Sequence, residues 1–301
     1  MFSILIPTWN NLDYLKLCVS SIRKYSSQPH EIIIHVNDGQ DGTLDWVKAQ
    51  GLRHSHSAGN IGICLAVNHI AAQASGEWLV YMNDDMVCCP GWDSVLMDAI
   101  DSVDTDLAMF SCTLMEPAQS TNHLILHHDF GKTPDQFNEQ LMLDGFMKTP
   151  RGNTWGAATQ PTVISRRWWN MVGGYSTEYS PGMSSDDDLL MKMWIVGCRV
   201  FVVVGASRVY HFSCRSTGRI RHNRGGSYFA VKWGITSREF QRLYLARITS
   251  AAIAESDNRD ESFPRVTLLG RLKRLTYGLG RALPLEDIGA WKTFSAGDFK
   301  K

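Results

Sequence analysis

No run of eighteen apolar residues occurs in this chain, and a membrane-spanning helix needs about that many. The apolar opening, residues 2–6, is too short for the core of a signal peptide and is cut by Pro7. Neither sign of charge is in excess: thirty basic residues offset thirty acidic ones, so charge gives no reason to expect a nucleic acid as partner. The seven cysteines are odd in number and show no Cys-x-x-Cys spacing, which argues against structural zinc. Adjacent Cys88 and Cys89 suit no ordinary disulfide framework. Reduced thiols and a cytoplasmic setting are therefore the expectation. Internal repeats and low-complexity tracts are also missing. What remains, 44% hydrophobic and 20% charged, is the composition of a globular enzyme with one large domain or a domain and an appendage.

The apolar pattern alternates between short continuous runs and helical spacing. Residues 2–6 read as a strand ending at Pro7-Thr8, followed by a helix on Leu12, Leu15, Val19 and Ile22 capped by Asn10 or Asn11. Residues 31–36 read as a second strand ending in Asn37-Asp38-Gly39, and 43–49 as a short helix. Asn60-Ile61-Gly62 opens a helix to about Ala74, and a strand follows at 78–82. A helix from Pro90 to Ile100 and a strand at 107–111 complete this half. Residues 116–152 turn polar and irregular, as functional loops or lids do. Order returns with a strand at 162–164, helices at 166–172 and 187–196, and a strand at 199–204. Strands alternating with helices imply an α/β fold with a mostly parallel sheet flanked by helices.

Chemistry concentrates at strand ends. The run Trp78-Leu79-Val80-Tyr81-Met82 leads straight into Asn83-Asp84-Asp85. Carboxylates at the carboxyl end of a buried strand lie where open α/β sheets bind ligands. Two neighbouring acids repel, and a hard divalent cation relieves them while anchoring a phosphate. Thr8, Asn37-Asp38 and Asn83-Asp84-Asp85 would converge on one edge of a parallel sheet, although each alone is also an ordinary cap or turn. A second cluster, Asp186-Asp187-Asp188, exceeds what complementing a helix dipole requires, and crowding raises proton affinity as a general base needs. His211 reads as a core histidine or as a metal ligand beside carboxylates. His127-His128-Asp129 belongs to the lid stretch. Arg215, Arg219, Arg221, Arg224 and Lys232 form a basic, glycine-rich stretch that reads as a solvated loop or a diphosphate clamp.

Taken in order, these segments resemble glycosyltransferase family 2, the inverting group with a GT-A fold. Ile4-Leu5-Ile6-Pro7-Thr8-Trp9-Asn10 resembles its nucleotide-contacting first strand, and Asn37-Asp38-Gly39-Gln40-Asp41-Gly42-Thr43 its acid-rich turn at the base. Asn60-Ile61-Gly62 with Asn68 resembles an N-x-G-x5-N segment, and Asn83-Asp84-Asp85 stands at the D-x-D metal motif. Gly173-Gly174-Tyr175 with Asp186-Asp187-Asp188-Leu189 resembles the acceptor-side signature, and His211 the late metal-completing histidine. Six loose motifs in the right order are specific, and they cover about residues 2–235. Asn83 replaces the first acid of D-x-D, so the resemblance makes Asp85 the metal ligand and puts Asn83 or Asp84 nearer the ribose. Ser185 replaces the glutamate of the late signature. That register makes Asp186 the base, and a one-residue shift would make it Asp187.

The resemblance implies a Rossmann-like sheet, a catalytic domain over 1–247 with a nucleotide-sugar half (1–115) and an acceptor half (116–247), and a C-terminal helical extension over 248–301. It implies sugar transfer, with Mn²⁺ or Mg²⁺, from a UDP, GDP or dTDP sugar to a glycan or lipid-linked acceptor. Pro7, Thr8, Asn37, Asp38, Asn60, Gly62, Asn83 and Asp84 would bind nucleotide, Asp85 and His211 the metal. Trp155-Gly156 would offer an acceptor platform, unless Trp155 is ordinary core. A nucleotidyltransferase should show a Gly-rich, basic loop after the first strand, and Pro7-Thr8-Trp9-Asn10-Asn11 offers none. A non-catalytic nucleotide-sugar-binding module is the remaining alternative, resting on Asn83 and Ser185. In the tail, Leu268, Leu269, Leu272, Leu275, Leu279 and Leu283 share a helical stripe among Arg271, Lys273, Arg274 and Arg281. Residues 265–283 therefore suit packing on the domain, a homodimer contact, or peripheral attachment to the inner face of a membrane.

Overall fold

Apolar residues on both faces make β1 (Phe2–Trp9) the hub of the fold: Ile4, Leu5 and Ile6 are all inaccessible to solvent, as a strand covered on both sides requires. The computed structural model describes residues 1–213, 223–249 and 264–278. β1 pairs in parallel with β2 (Glu31–Asn37) and with β4 (Trp78–Tyr81), and β2 pairs in parallel with β3 (Arg53–Ser57). Helices α1 (Leu12–Tyr25), α2 (Thr43–Ala49) and α3 (Gly62–Ala71) make the crossovers. β3 has no apolar residue, so the pattern did not reveal it; backbone pairing to β2, with His35 hydrogen-bonded to Ser55 and Ser57 and Arg53 paired with Glu31, holds this edge strand.

Beyond β4 the sheet becomes mixed. β9 (Thr162–Ser165) runs antiparallel between β4 and β6 (Ala108–Glu116), while β10 (Val200–His211) runs parallel to β6. β5 (Met86–Cys88) and β8 (Thr154–Trp155) join β10 antiparallel, and β7 (Ile125–His127) joins β6. The main order is β3-β2-β1-β4-β9-β6-β10-β5. Both β6 and β10 run past their expected ends, β6 to Glu116 and β10 to His211 with a register shift between Val204 and Arg208. The seam expected at 115/116 thus falls at the last residue of β6, and both halves share one continuous sheet.

Alternation along the strands builds a core on each face. Ile4, Ile6 and Val80 meet Leu15, Val19 and Ile22 of α1 and Leu96 of α4 (Trp92–Asp101). Leu5, Leu79 and Tyr81 meet Val67 and Ile70 of α3 and Leu189 and Leu190 of α7 (Ser185–Ile195), with Trp169 from α6 (Arg166–Val172). The lid stretch 116–152 contains β7 and α5 (Glu139–Gly145) and is pinned down by a third cluster, in which Phe130 and Met142 pack on Val87, Tyr210 and Phe212. Cys18, Cys64, Cys88, Cys89, Cys112 and Cys198 are buried free thiols. The chain continues through α8 (Gly225–Trp233) and α9 (Ser237–Leu243), and α10 (Leu268–Gly278) folds back onto α8. Among the described residues no helix is long and apolar enough to cross a membrane.

Candidate active site

The parallel strands β1, β2 and β4 deliver their polar ends to one edge of the sheet. Thr8, buried in β1, donates from Oγ1 to Oδ2 of Asp84 at 2.6 Å, and Asn11 Nδ2 donates to the other oxygen at 3.0 Å. Asp84 therefore ties the end of β4 to the end of β1. Pro7 lies past the β1–β4 ladder, which stops at Leu5 and Tyr81, so its missing N–H interrupts no pairing there. Asn37 is buried, donates to the Thr8 carbonyl and accepts from the Ile61 N–H at 2.8 Å. Both ends of its amide are committed to backbone, so Asn37 frames this edge of the sheet rather than facing outward from it. Asp38 accepts from Asn10 Nδ2 at 2.9 Å, and Asn10 Oδ1 accepts from the Gly39 N–H. Asn60 accepts from the Gly62 N–H, and Gly62 sits against Pro181. Among the described residues the non-glycine positions with left-handed backbone are Asn10, Asp38, Ser184 and Ser213. All four border this site, where strained backbone tends to be retained.

Asp85 and His211 come together as expected. Asp85 is nearly buried and its Oδ1 lies 3.2 Å from His211 Nε2. The other ring nitrogen, Nδ1, lies 2.8 Å from Glu116 Oε1. Burial pulls the imidazole down, but the charge and hydrogen bond of Asp85, with the hydrogen bond of Glu116, outweigh it and lift the ring to about 10. Glu116 was not visible as a site residue because the sequence reads as loop from that position. Among the described residues no group of three or more His, Cys, Asp or Glu side chains forms a ready-made metal cage. The donors nevertheless fit a hard divalent ion. Adjacent ligand atoms about 2.1 Å from an octahedral ion stand about 3 Å apart, close to the Asp85–His211 separation. With an ion bound there, Glu116 on the far nitrogen would supply the carboxylate of a carboxylate–histidine–metal arrangement.

Asp186 stands in the first turn of α7, exposed on one side and lining a cavity of 300 Å³ with Asp187, Thr159, Gln160, Leu190 and Gln241. The protein crowded around its carboxyl raises it above the usual range, against hydrogen bonds from Tyr175 OH (2.6 Å) and Gln160 Nε2 (3.3 Å). Gln160 also accepts from Asn83 Nδ2 at 2.8 Å, and Asn83 accepts from Tyr81 OH at 2.8 Å. One glutamine therefore bridges Asn83, at the edge that carries Asp84 and Asp85, to Asp186. Tyr81 lies close enough to Asp186, Asp84 and Asp85 for all three charges to raise its phenol, on top of burial.

Distant signals in the sequence explain how Tyr175 is aimed. Asn68 brackets its backbone, donating to its carbonyl at 2.7 Å and accepting from its N–H at 2.8 Å. Gly174 precedes it at φ +60°, where an added Cβ would stand 2.4 Å from Asn68 Oδ1, so only glycine permits the bracket. Asp187 accepts from Gln241, and burial together with the charge of Asp186 pushes its carboxyl up to about 6. Asp188 is fully buried, held by Ser176, Trp233 and Lys232. Of the three acids, Asp186 and Asp187 line the cavity, whereas Asp188 is used in packing.

Trp155 and Gly156, expected as an acceptor platform, lie outside the lining of the Asp186 cavity. Trp155 packs against both main clusters, and an added Cβ on Gly156 would stand 1.9 Å from the Leu245 carbonyl oxygen. Gln160 and Gln241, which no motif marked, line that cavity instead. His127 and His128 meet Pro117 and Thr149 away from the acids. Arg215, Arg219 and Arg221 lie outside the described residues, as do Leu279, Arg281 and Leu283 of the tail stripe, whereas Arg224 stands at the N-cap position of α8. A hollow of 870 Å³ opens beside Asn10, Asn11 and Asp41 under lid residues Thr133–Asp135.

The family model "Glycosyl transferase family 2" matches residues 3–164. The O-antigen biosynthesis protein RfbC of Myxococcus xanthus is 25% identical over 234 residues, covering 70% of this chain and 17% of its own length. This chain thus spans about a sixth of that relative. The fold is similar to S. aureus TarS 1–349 in complex with UDP-GlcNAc, at TM-score 0.53 and 14% identity over 91% of this chain and 78% of that one. Against TarS 1–349 with UDP the match covers 69% of this chain and 59% of that one, at TM-score 0.51 and 14% identity. It is also similar to the mannosyltransferase PcManGT from Pyrobaculum calidifontis in complex with GDP-Man and Mn²⁺, at TM-score 0.52 and 13% identity over 97% and 83%. These structures establish a GT-A type α/β fold.

Proposed function

Since the chain belongs to glycosyl transferase family 2, we propose that it moves a sugar, with inversion, from a nucleotide diphosphate to a hydroxyl of a glycan or lipid-linked acceptor. The observation that carries this reading is the Asn83–Gln160–Asp186 bridge, which joins the acids at the end of β4 to a carboxylate on a cavity. A donor's diphosphate belongs at Asp85 and its neighbours, and an acceptor hydroxyl at Asp186. In this mechanism the acceptor oxygen attacks the anomeric carbon from the side opposite the diphosphate. Asp186 takes the hydroxyl proton, and the electrons of the breaking glycosidic bond leave with the diphosphate. Positioned base catalysis of this kind contributes on the order of 10²–10⁴-fold.

Tyr175 and Gln160 hold both oxygens of Asp186, which fixes the direction in which it accepts a proton. Asp85 and His211 would hold Mn²⁺ or Mg²⁺, which when bound supplies positive charge against the leaving diphosphate. Asp38, Thr8, Asn83 and Asp84 shape the nucleotide side, with Asn37, Asn60 and Gly62 bracing the turns beneath it. The UDP-GlcNAc and GDP-Man bound by the similar structures support a nucleotide-sugar donor, and the O-antigen relative supports assembly of a surface polysaccharide. Calorimetric titration of UDP, GDP and dTDP sugars with Mn²⁺ tests the reading directly. Binding of one donor, with its hydrolysis or transfer lost in Asp186→Asn, is the expected result, and a chain that binds none of them is not this enzyme.

A further inference from the structure

The leucines of α10 face solvent, although the helix is folded against its own domain. α10 meets the end of α8 at a glycine: an added Cβ on Gly270 would stand 1.9 Å from the carbonyl oxygen of Gly234, so the two backbones touch. Arg274 lies on this side, donating from Nε to the Val231 carbonyl at 2.9 Å and from Nη2 to the Lys232 carbonyl at 3.1 Å. It thereby satisfies carbonyls at the end of α8 that lack a helical partner. Thr267 adds its N–H to the Gly234 carbonyl and its hydroxyl to Glu239, each at 3.0 Å. The docked face is thus small and polar.

The other face carries Leu268, Leu272 and Leu275, exposed by 75%, 50% and 58%, with Leu269 beside them at 45%. At 3.6 residues per turn these three leucines share one stripe opposite Gly270 and Arg274, with Arg271 on one flank and Leu269 on the other, while half-buried Lys273 lies nearer the docked side. A helix folded onto a soluble domain ordinarily turns such a stripe inward. From Arg265 to Leu285 there is no Asp or Glu. We infer that this face of α10 rests on an anionic lipid surface, its leucines in the acyl boundary and its cations among the headgroups. A second copy of the chain fits the surface less well, because two-fold pairing of the stripe would set Arg271, on its flank, against its own copy. The inference does not depend on sugar transfer.

The test is flotation of the whole chain with phosphatidylcholine vesicles, with and without phosphatidylglycerol, over a range of salt. The wild type floats with the anionic vesicles, and its binding weakens as salt rises. Leu268→Ser/Leu272→Ser/Leu275→Ser lowers partitioning by about tenfold or more, with an unchanged Tm because those side chains touch little. Arg271→Glu/Lys273→Glu abolishes the preference for phosphatidylglycerol. A wild type that ignores both vesicles, or a triple variant that floats like it, overturns the inference. So does a sedimentation experiment in which the wild type is a dimer and the triple variant a monomer, since a second copy would then cover the stripe.

Discussion

Glu116 Oε1 lies 2.8 Å from His211 Nδ1, on the opposite side of the ring from Asp85. This pins the imidazole so that Nε2 faces the Asp85 carboxylate, and a ligand oriented in advance loses less freedom on binding an ion. Glu116→Gln keeps the size of the side chain and removes its charge. Affinity for Mn²⁺, followed by the loss of the free-ion paramagnetic resonance signal, is expected to fall about 10–100-fold. An affinity equal to that of the wild type would show that Glu116 does not support the metal.

Asp186→Asn separates chemistry from binding. The amide fills the same space between Tyr175 and Gln160 but accepts no proton. Turnover should fall by about 10²–10⁴-fold, while the dissociation constant for the nucleotide stays within about twofold, well under the tenfold that 1.4 kcal/mol would produce. Undiminished turnover would move the base elsewhere, with Asp187 next in line because it lines the same cavity.

Much of this site was legible before any coordinates. Buried strands with polar ends announce themselves through composition, so Thr8, Asp38, Asp84 and Asp85 were found where the parallel strands stop. Asn68 and Gly174 stood in motifs whose meaning became plain only once the bracket around Tyr175 was seen. Glu116, Gln160 and Gln241 left no signal, because each acts through a contact made by long-range folding. Glu116 in particular ends a strand whose last residues look like loop. Gly156 shows why such positions read ambiguously: a glycine demanded by a close backbone crossing looks, in sequence, like one demanded by a ligand. β3 stayed hidden because pairing with β2, not an apolar pattern of its own, makes Arg53–Ser57 a strand.

Asp187 gives a pH dependence with a definite sign. Burial and the neighbouring charge of Asp186 raise its carboxyl from 3.8 to about 6. Between those values the folded protein holds a proton that the unfolded chain releases, so stability falls as pH rises through this window. Above about pH 6 the ionised group is a net cost, which Asp187→Asn removes. Urea unfolding at pH 7 should show the variant more stable by about 1–2 kcal/mol, a value reduced for partial exposure to solvent. At pH 4 the two proteins should differ little. A variant less stable than the wild type at pH 7 would contradict the raised carboxyl.

Gly156→Ala distinguishes a packing role from an acceptor-binding one. Gly156 has φ +68°, and a methyl group there would meet the Leu245 carbonyl oxygen at 1.9 Å, far inside contact distance. The backbone of β8 or the turn at Leu245 must shift, and overpacking of this kind costs about 1–3 kcal/mol. The loss should appear as a lower urea midpoint at unchanged slope. Asn83, Gln160 and Asp186 lie on other elements, so KM for the acceptor should remain near the wild-type value in protein that is still folded. A raised acceptor KM with full stability would restore Gly156 to the binding surface and take the crossing at Leu245 out of the account.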